Sequence, residues 1–227
     1  MGSLNYNYSF HHISKDQDQI TTSIQRYKAL RLKALLLSPT SFSSTYAIES
    51  AFADAEWASR LTADERETFV CAATLVNCDQ GSSNEPEWVA QVTLRGPLSK
   101  DEFTLPDDSG QPAPRADDKE ERWQMLSLFS LPDHRGMGIG KQLCREALGY
   151  LRSYRNQPGT VRVRLMVKPE KQDIVDFYRR LGFVEAGRST LVEALIANGD
   201  ESLLPDDTRG EKYTTRGPVI MMLELFR

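Results

Sequence analysis

A glycine-rich segment in the second half of the chain has the residue types and spacing of an anion-binding turn. Residues 135–141 read Arg-Gly-Met-Gly-Ile-Gly-Lys and follow an apolar run at 123–131. After them, apolar residues recur at the spacing of one helix face, at Leu143, Ala147, Leu148 and Leu151. A helix N-terminus offers unpaired amides and the positive end of its dipole, and glycines let a phosphate approach those amides. The segment therefore predicts a pyrophosphate cradle between a strand and a helix.

The spacing of the glycines excludes two common nucleotide-binding motifs. A dinucleotide fingerprint requires G-x-G-x-x-G, whereas these glycines alternate with single residues. A P-loop requires Ser or Thr after its Gly-Lys pair, and here Gln142 follows. The pattern that remains is R-x-x-G-x-G, and no G-x-S-x-G motif of a serine hydrolase accompanies it. The candidate cradle residues are Arg135, Gly136, Met137, Gly138, Ile139, Gly140 and Lys141.

Composition narrows the class of protein. The 227 residues are 40% hydrophobic and 26% charged, as in ordinary globular domains, and the net charge of −4 argues against a nucleic-acid partner. Three cysteines without a C-x-x-C pair and three histidines provide no metal-ligand spacing. No signal peptide or membrane-length apolar run is visible. We expect no metal and no membrane partner, and a cytoplasmic location with the nucleus not excluded.

Periodicity predicts the elements that must position the cradle. Helical spacing appears at 20–37, 46–61, 143–151 and 174–181, with Asp173 as the cap of the last helix. Strand patterns appear at 69–76, 88–94, 123–131, 161–167 and 219–226, the first two forming a hairpin through a turn at 79–86. Residues 190–197 fit a strand or a short helix. We expect a flexible segment at 1–12, one domain over 13–227, and a mobile insertion loop at about 95–122.

Two motifs together resemble one superfamily. The R-x-x-G-x-G turn resembles the acetyl-CoA loop of the GCN5-related N-acetyltransferases (GNAT). The second GNAT signature, on the following strand and helix, resembles 167–169 (Val-Lys-Pro) and 177–183 (FYRRLGF). The segment 31–61 is similar to a subset of the same superfamily. The resemblance covers nearly the whole chain apart from the first dozen residues and the 95–122 insertion.

The resemblance implies a fold and a cofactor. The fold is α/β (α+β), with a twisted, mostly antiparallel mixed sheet, helices on both faces, and central strands that splay to form a slot. Acetyl-CoA is the implied acyl donor. The end of the central strand, Phe129, Ser130 and Leu131, would pair with the pantetheine arm, and an amide near Phe129 or Leu131 could stabilise the oxyanion. Phe177 joins the cofactor-binding set. Lys171 stands where the family often has Asn and becomes a candidate phosphate contact.

Acetyl transfer from a thioester to an amine also needs an acid and a base. Tyr178 is the candidate acid for the departing thiolate, although Phe177 and Tyr178 could equally be helix-core aromatics. Glu121, or its neighbour Glu120, is the candidate base, although such residues are more often solvated charges. His134 lies in the phosphate loop, and we expect it to face solvent.

The sequence gives only weak evidence about the molecule that accepts the acetyl group. The resemblance implies direct attack by a primary amine through a tetrahedral intermediate. A small-molecule amine is the first hypothesis, since the segment 198–217 carries Asp200, Glu201, Asp206 and Asp207, although acidic loops are common on soluble proteins. A protein lysine or amino terminus is the second, and a non-catalytic acyl-CoA-binding module stays open. The segment 38–46 is a further candidate for the acceptor side. The protein could be a monomer or a homodimer.

Overall fold

A computed structural model of the chain describes residues 5–42, 44–76 and 85–227. Residues 1–4 of the predicted flexible segment and most of the predicted turn at 79–86 lie outside the described residues, as does Cys78. Among the described residues, no helix is both long enough and apolar enough to span a membrane.

Seven strands form one mixed sheet. They are β1 (Tyr6–His12), β2 (Arg66–Leu75), β3 (Glu87–Leu98), β4 (Glu121–Ser130), β5 (Thr160–Val167), β6 (Val184–Arg188) and β7 (Val219–Phe226). Their order across the sheet is β1-β2-β3-β4-β5-β7-β6. The pairs β1/β2, β5/β7 and β6/β7 are antiparallel, whereas β4/β5 is parallel. The parallel ladder joins Glu121–Gln124 to Val161–Arg164, and both strands continue beyond it.

Helices flank this sheet, which confirms the predicted mixed α/β fold. They are α1 (Gln17–Leu37), α2 (Tyr46–Ser50), α3 (Asp54–Thr62), α4 (Lys100–Phe103), α5 (Ile139–Tyr154), α6 (Gln172–Arg179), α7 (Leu191–Asn198) and α8 (Glu211–Thr214). The single helix predicted over 46–61 is divided into α2 and α3 by residues 51–53. The cap predicted at Asp173 is wrong, because Lys171 occupies the N-cap of α6 and Asp173 lies in its first turn.

The chain divides into two compact units. The first unit comprises residues 1–93 and 127–147, and the second comprises residues 94–126 and 148–227. The single domain expected over 13–227 therefore stays a prediction.

The first unit is built on an aromatic and aliphatic core. Ile13, Tyr27, Trp57, Leu61 and Val70 are buried together, and the rings of Tyr27 and Trp57 meet edge to face at 6.1 Å. Tyr27 comes from α1, Trp57 and Leu61 come from α3, and Val70 comes from β2, while Ile13 lies between β1 and α1. Ile20 and Ile24 of α1 also pack against this core.

A buried ion pair lies beside this core. The Arg31 Nε and Nη2 atoms donate to the two carboxylate oxygens of Glu49 at 2.9 and 2.6 Å. Burial alone would raise the pKa of Glu49, but the hydrogen bonds and charge of Arg31 hold it below its ordinary value. The pair ties α1 to the short helix α2. Removal of Glu49 would leave the buried Arg31 without this counter-ion, whereas Glu49 also lies 3.5 Å from the Arg60 Nη1.

The amino-terminal segment differs from its predicted flexibility. Residues 6–12 form β1, which pairs with β2 along its whole length, from Tyr6 opposite Leu75 to His12 opposite Phe69. The alternation of Tyr6, Tyr8 and Phe10 with polar residues gives the strand one half-buried face and one exposed face. The strand exists because β2 offers it a partner, which short-range patterns do not reveal.

In the second unit, the predicted mobile insertion is seated on the sheet. The Ser99 side chain caps α4 in a reciprocal box with Glu102, and Phe103 at the end of α4 is fully buried. Arg164 of β5 holds this segment: its Nη1 donates to the Phe103 carbonyl and to the Gln111 Oε1, each at 2.7 Å. The Arg216 guanidinium adds ion pairs to Asp108 and Glu193. Residues 99–120 are therefore an anchored insertion.

The insertion approaches β6 so closely that only glycine fits at residue 187. Gly187 has a φ of +125°, and a Cβ there would lie 2.1 Å from the Ser109 carbonyl oxygen. Backbone cannot move aside as a flexible side chain can. The seat of the insertion on β6 therefore depends on this residue.

We expect Gly187→Ala to lower the free energy of unfolding by about 2 kcal/mol or more, through backbone strain and the clash with Ser109. Urea unfolding measures the change. The matched control is Gly149→Ala in α5, where a Cβ meets no atom within 4 Å and the better helix propensity of alanine should add about 0.5–1 kcal/mol. Equal stability of Gly187→Ala and the wild type would show that the insertion is not seated on β6.

Candidate active site

The predicted cradle follows directly from the end of β4. The Leu131 amide donates to the Val89 carbonyl at 2.8 Å, so the last residue before the turn is still held by the neighbouring strand β3. Residues 132–134 then make one turn of 3₁₀ helix, in which the Arg135 amide donates to the Pro132 carbonyl at 3.1 Å. The chain thus reaches Arg135 in a fixed direction.

Two glycines of the turn have a backbone conformation that other residues avoid. The φ angles of Gly136 and Gly138 are +80° and +76°. No atom lies within 4 Å of the position that a Cβ would take at either residue. The requirement for glycine is therefore conformational, and the space above the turn is open.

The turn leaves a row of backbone amides without partners. The first helical bond of α5 runs from the Gln142 amide to the Gly138 carbonyl at 3.0 Å. In the part of the chain that the structure describes, the amides of residues 136–141 donate no hydrogen bond to the backbone. These six consecutive amides lie at the positive end of a 16-residue helix. That they bind an anion, as the glycine spacing predicts, stays a prediction.

The flanking cations have different surroundings. The Arg135 guanidinium donates to the Ser130 carbonyl at 3.1 Å and to the Ser38 Oγ at 3.3 Å, and it lies 5.5 Å from the Phe129 ring centroid. Arg135 therefore braces the turn against the end of β4. Lys141 is exposed in the first turn of α5, so its ammonium group can follow a phosphate.

His134 does not face solvent, and that expectation is wrong. Only 5% of the residue is exposed. Its Nδ1 atom lies 3.1 Å from the Tyr8 hydroxyl, and the Tyr6 ring meets the imidazole edge to face at 4.8 Å. Two aromatic residues of β1 therefore enclose the residue that precedes the cradle.

Ser127 is a feature that sequence reasoning missed. It lies within β4, yet its φ is +58°, the left-handed region that residues other than glycine rarely adopt. A serine in an apolar strand pattern does not predict a left-handed backbone conformation. The irregularity stands three residues before Ser130, so it changes the course of β4 just before the segment predicted to contact the cofactor.

The candidate base is held by other side chains of the second unit. Glu121 is 4% exposed, and its Oε1 accepts hydrogen bonds from the Trp123 Nε1 at 2.7 Å and from the Arg227 Nη2 at 2.6 Å. Its Oε2 is buried and accepts no hydrogen bond within the described residues, although the Arg155 Nε lies 3.9 Å away. The neighbouring Glu120 forms an ion pair with Arg162 at 2.7 Å.

The candidate acid is packed among aromatic rings in the second unit. Tyr178 is 7% exposed, and its ring contacts Phe177 at 5.1 Å and Phe183 at 5.5 Å. Lys171 begins α6 on the same segment and is partly exposed. Both the catalytic and the core interpretation of Tyr178 fit this environment.

The structure therefore distributes the predicted site residues over the two units. Phe129, Ser130, Leu131 and the cradle residues 135–141 lie in the first unit, where they are contiguous. Glu121, Lys171, Phe177 and Tyr178 lie in the second unit. The roles of all these residues stay predictions. Among the described residues, no group of three or more His, Cys, Asp or Glu side chains is placed to hold a metal ion.

We expect Ser127→Gly to raise the free energy of unfolding by about 0.5–1 kcal/mol, because glycine removes the left-handed strain at a smaller entropic cost. Ser127→Val should lower it by about 1–2 kcal/mol, because a β-branched residue fits this conformation poorly. Thermal unfolding of the two variants beside the wild type measures the difference. The reverse order of stability would contradict a left-handed residue at this position.

Comparisons with known proteins concern the family and the fold of this chain. The family model described as "Acetyltransferase (GNAT) domain" matches residues 109–185, which include the cradle and the FYRRLGF segment. No curated protein matches the chain.

Solved structures show the same fold. Arabidopsis thaliana NAA60 in complex with a bisubstrate analogue has a TM-score of 0.56 at 13% identity, covering 96% of this chain and 99% of that one. A GNAT-family acetyltransferase from Streptococcus pneumoniae has a TM-score of 0.55 at 12% identity, with the same coverage of 96% and 99%. Arabidopsis thaliana Naa50 with the bisubstrate analogue CoA-Ac-MVNAL has a TM-score of 0.50 at 15% identity, covering 95% and 97%. The resemblance inferred from the two motifs is thus confirmed: residues 109–185 match the GNAT acetyltransferase domain, and the chain has the fold of the GNAT superfamily.

Proposed function

We propose that this protein transfers an acetyl group from acetyl-CoA to a primary amine. The observation that carries the proposal is the row of unpartnered amides at residues 136–141, opened by two left-handed glycines at the start of α5. A pyrophosphate is the ligand that satisfies such a row, because its oxygens accept from several amides at once. The NAA60 structure determined with acetyl-CoA, at a TM-score of 0.52 and 13% identity, supports acetyl-CoA as the ligand.

Each part of the cradle has a separate task in this proposal. The amides of 136–141 bind the pyrophosphate. Because the Lys141 side chain is exposed, its ammonium group can move to meet a phosphate, and it adds a positive charge to the site. The backbone of Phe129, Ser130 and Leu131 directs the pantetheine arm. An amide of this strand end stabilises the negative oxygen that develops when the amine attacks the thioester carbonyl.

Tyr178 and Glu121 carry the proton transfers in this proposal. The Tyr178 hydroxyl protonates the departing thiolate. Glu121 receives the proton of the attacking amine, directly or through water; its Oε2 is buried and accepts no hydrogen bond among the described residues. Two donors already hold its Oε1, so the carboxylate keeps its orientation while Oε2 accepts the proton.

A small-molecule amine is the acceptor that we place first. The segment 198–217 bears exposed carboxylates at Glu201, Asp206 and Asp207, which favour a cationic acceptor. A protein amino terminus or lysine is the second candidate, supported by the bisubstrate complexes of NAA60 and Naa50.

We expect Gly138→Ala to weaken acetyl-CoA binding by about tenfold, because the φ of +76° disfavours alanine by about 1 kcal/mol or more and the turn would relax away from its open form. Calorimetric titration with acetyl-CoA and with CoA measures the affinity. Gly149→Ala serves again as the control and should bind as the wild type does. Undiminished binding by Gly138→Ala would remove the cradle from the proposal.

We expect Tyr178→Phe to lower kcat by about 10²-fold while the KM for acetyl-CoA stays near its wild-type value, because only the hydroxyl is lost. Release of free CoA thiol measures the rate. Tyr27→Phe, which removes a hydroxyl from a similarly buried tyrosine of α1 with 5% exposure, is the matched control. An unchanged kcat in Tyr178→Phe would identify Tyr178 as a core aromatic only.

An acceptor panel separates the alternatives for the substrate. Polyamines, monoamines and aminoglycosides are compared with amino-terminal peptides and lysine peptides, again by thiol release. Turnover with small amines supports the first candidate, and turnover confined to peptides supports the second. Acetyl-CoA binding without thiol release on any member would indicate a non-catalytic acyl-CoA-binding module.

A further inference from the structure

His134, the residue before the cradle, has a buried side chain. It immediately precedes Arg135, and its backbone amide donates to the Leu131 carbonyl at 3.0 Å within the 3₁₀ turn. With 5% of its surface exposed, the imidazole lies inside the protein and not in the open space above the glycines. A polar ring in such a place needs a hydrogen-bond partner, and Tyr8 supplies it at 3.1 Å.

The partner belongs to a rigidly placed strand. β1 pairs with β2 through all seven of its residues, with Tyr8 opposite Ala73. Burial, followed by the neighbouring Cys71 and Tyr6, raises the pKa of the Tyr8 hydroxyl, so this group stays protonated over the physiological range. The hydroxyl can donate to a neutral Nδ1 or accept from a protonated one, and in either tautomer the bond needs the Tyr8 oxygen.

The Tyr6 ring completes the enclosure. It meets the imidazole edge to face with centroids 4.8 Å apart and planes at 63°. The Tyr8 ring lies at 5.9 Å and 86° on the same histidine. Three contacts thus fix the imidazole, and through its own backbone they fix the direction in which the chain enters Arg135 and Gly136.

We propose that His134 is a positioning residue for the cofactor, and that β1 shapes the pyrophosphate cradle through Tyr6, Tyr8 and His134. This inference rests on the proposed function, because it takes acetyl-CoA as the ligand of the cradle. The amides of residues 136–141 bind a pyrophosphate only while they converge. His134 holds the first of these amides in place from behind the turn, and its own side chain touches no ligand.

The test uses the full-length chain and acetyl-CoA as the probe. Tyr8→Phe removes one oxygen and keeps the ring, so we expect the KM and the dissociation constant for acetyl-CoA to rise about fivefold, the worth of one hydrogen bond of about 1 kcal/mol. At saturating acetyl-CoA, kcat should stay within twofold of the wild type. His134→Ala should raise both constants further, and His134→Asn, whose amide can reach the Tyr8 hydroxyl, should recover part of the affinity.

The matched control is His11→Ala. His11 lies on the exposed face of the same strand, and its ring bonds only to Ser9 among the contacts that the structure shows. It should leave the affinity unchanged. Hydrogen exchange of the unliganded protein gives a second readout: the hydrogen-bonded amides of His134 and Arg135 should exchange faster in Tyr8→Phe than in the wild type, while β2 stays protected.

The outcomes separate this inference from the function on which it rests. A wild type that binds no acetyl-CoA overturns the proposed function, and the cofactor role of His134 with it. A wild type that binds acetyl-CoA, together with Tyr8→Phe and His134→Ala variants of unchanged affinity and unchanged exchange, overturns the inference alone. If His134→Ala fails to fold, Tyr8→Phe decides by the same two measurements.

Discussion

The start of α5 imposes the constraint around which the first unit is arranged. A helix that begins in an open turn leaves its first amides without partners, and burying them would cost free energy. Here the turn that precedes the helix has left-handed backbone angles at Gly136 and Gly138, and the space beside both glycines is open. The turn cannot gain stability from its own hydrogen bonds, so side chains behind it must hold it. Arg135 does so from the end of β4 and His134 from the direction of β1.

The second unit depends on a different constraint, a buried positive charge. Arg164 is fully buried, stacks on the Phe103 ring at 4.0 Å, and forms no ion pair with a carboxylate among the described residues. Burial, followed by the nearby Arg95, lowers the pKa of Arg164 to about 9. Neutral oxygens solvate the guanidinium instead, from Gln124, Phe103 and Gln111. Two of these three belong to the insertion, so its ordered position is also the means by which the charge is solvated.

Patterns in the sequence predicted the features that depend on neighbouring residues along the chain. The apolar run at 219–226 and the glycine spacing at 135–141 depend on neighbours along the chain, and the structure has β7 at Val219–Phe226 and a turn with left-handed glycines at 136 and 138. By contrast, β1 and the 99–120 insertion are ordered because of partners that lie far away in sequence. Polar and Pro-rich composition signals mobility, but it carries no information about Arg164 or β2.

The candidate site divides in the same way. The residues that could touch a ligand were visible in the sequence, because phosphate chemistry restricts their types and spacing. His134 and Ser127 were not visible as structural features. The burial of His134 requires Tyr6 and Tyr8, more than 120 residues earlier in the chain, and a positive φ at serine has no compositional sign.

Some residues would contact the ligand, whereas others only position the turn. This distinction affects how tightly the cradle would bind a ligand. Ordering a loop at the moment of binding costs conformational entropy for every residue that becomes fixed. The brace of Arg135 on Ser130 and Ser38 and the enclosure of His134 are contacts within the protein, so they contribute to the position of the turn without using a ligand atom. Residues that never touch the ligand can for this reason change its affinity as much as residues that do.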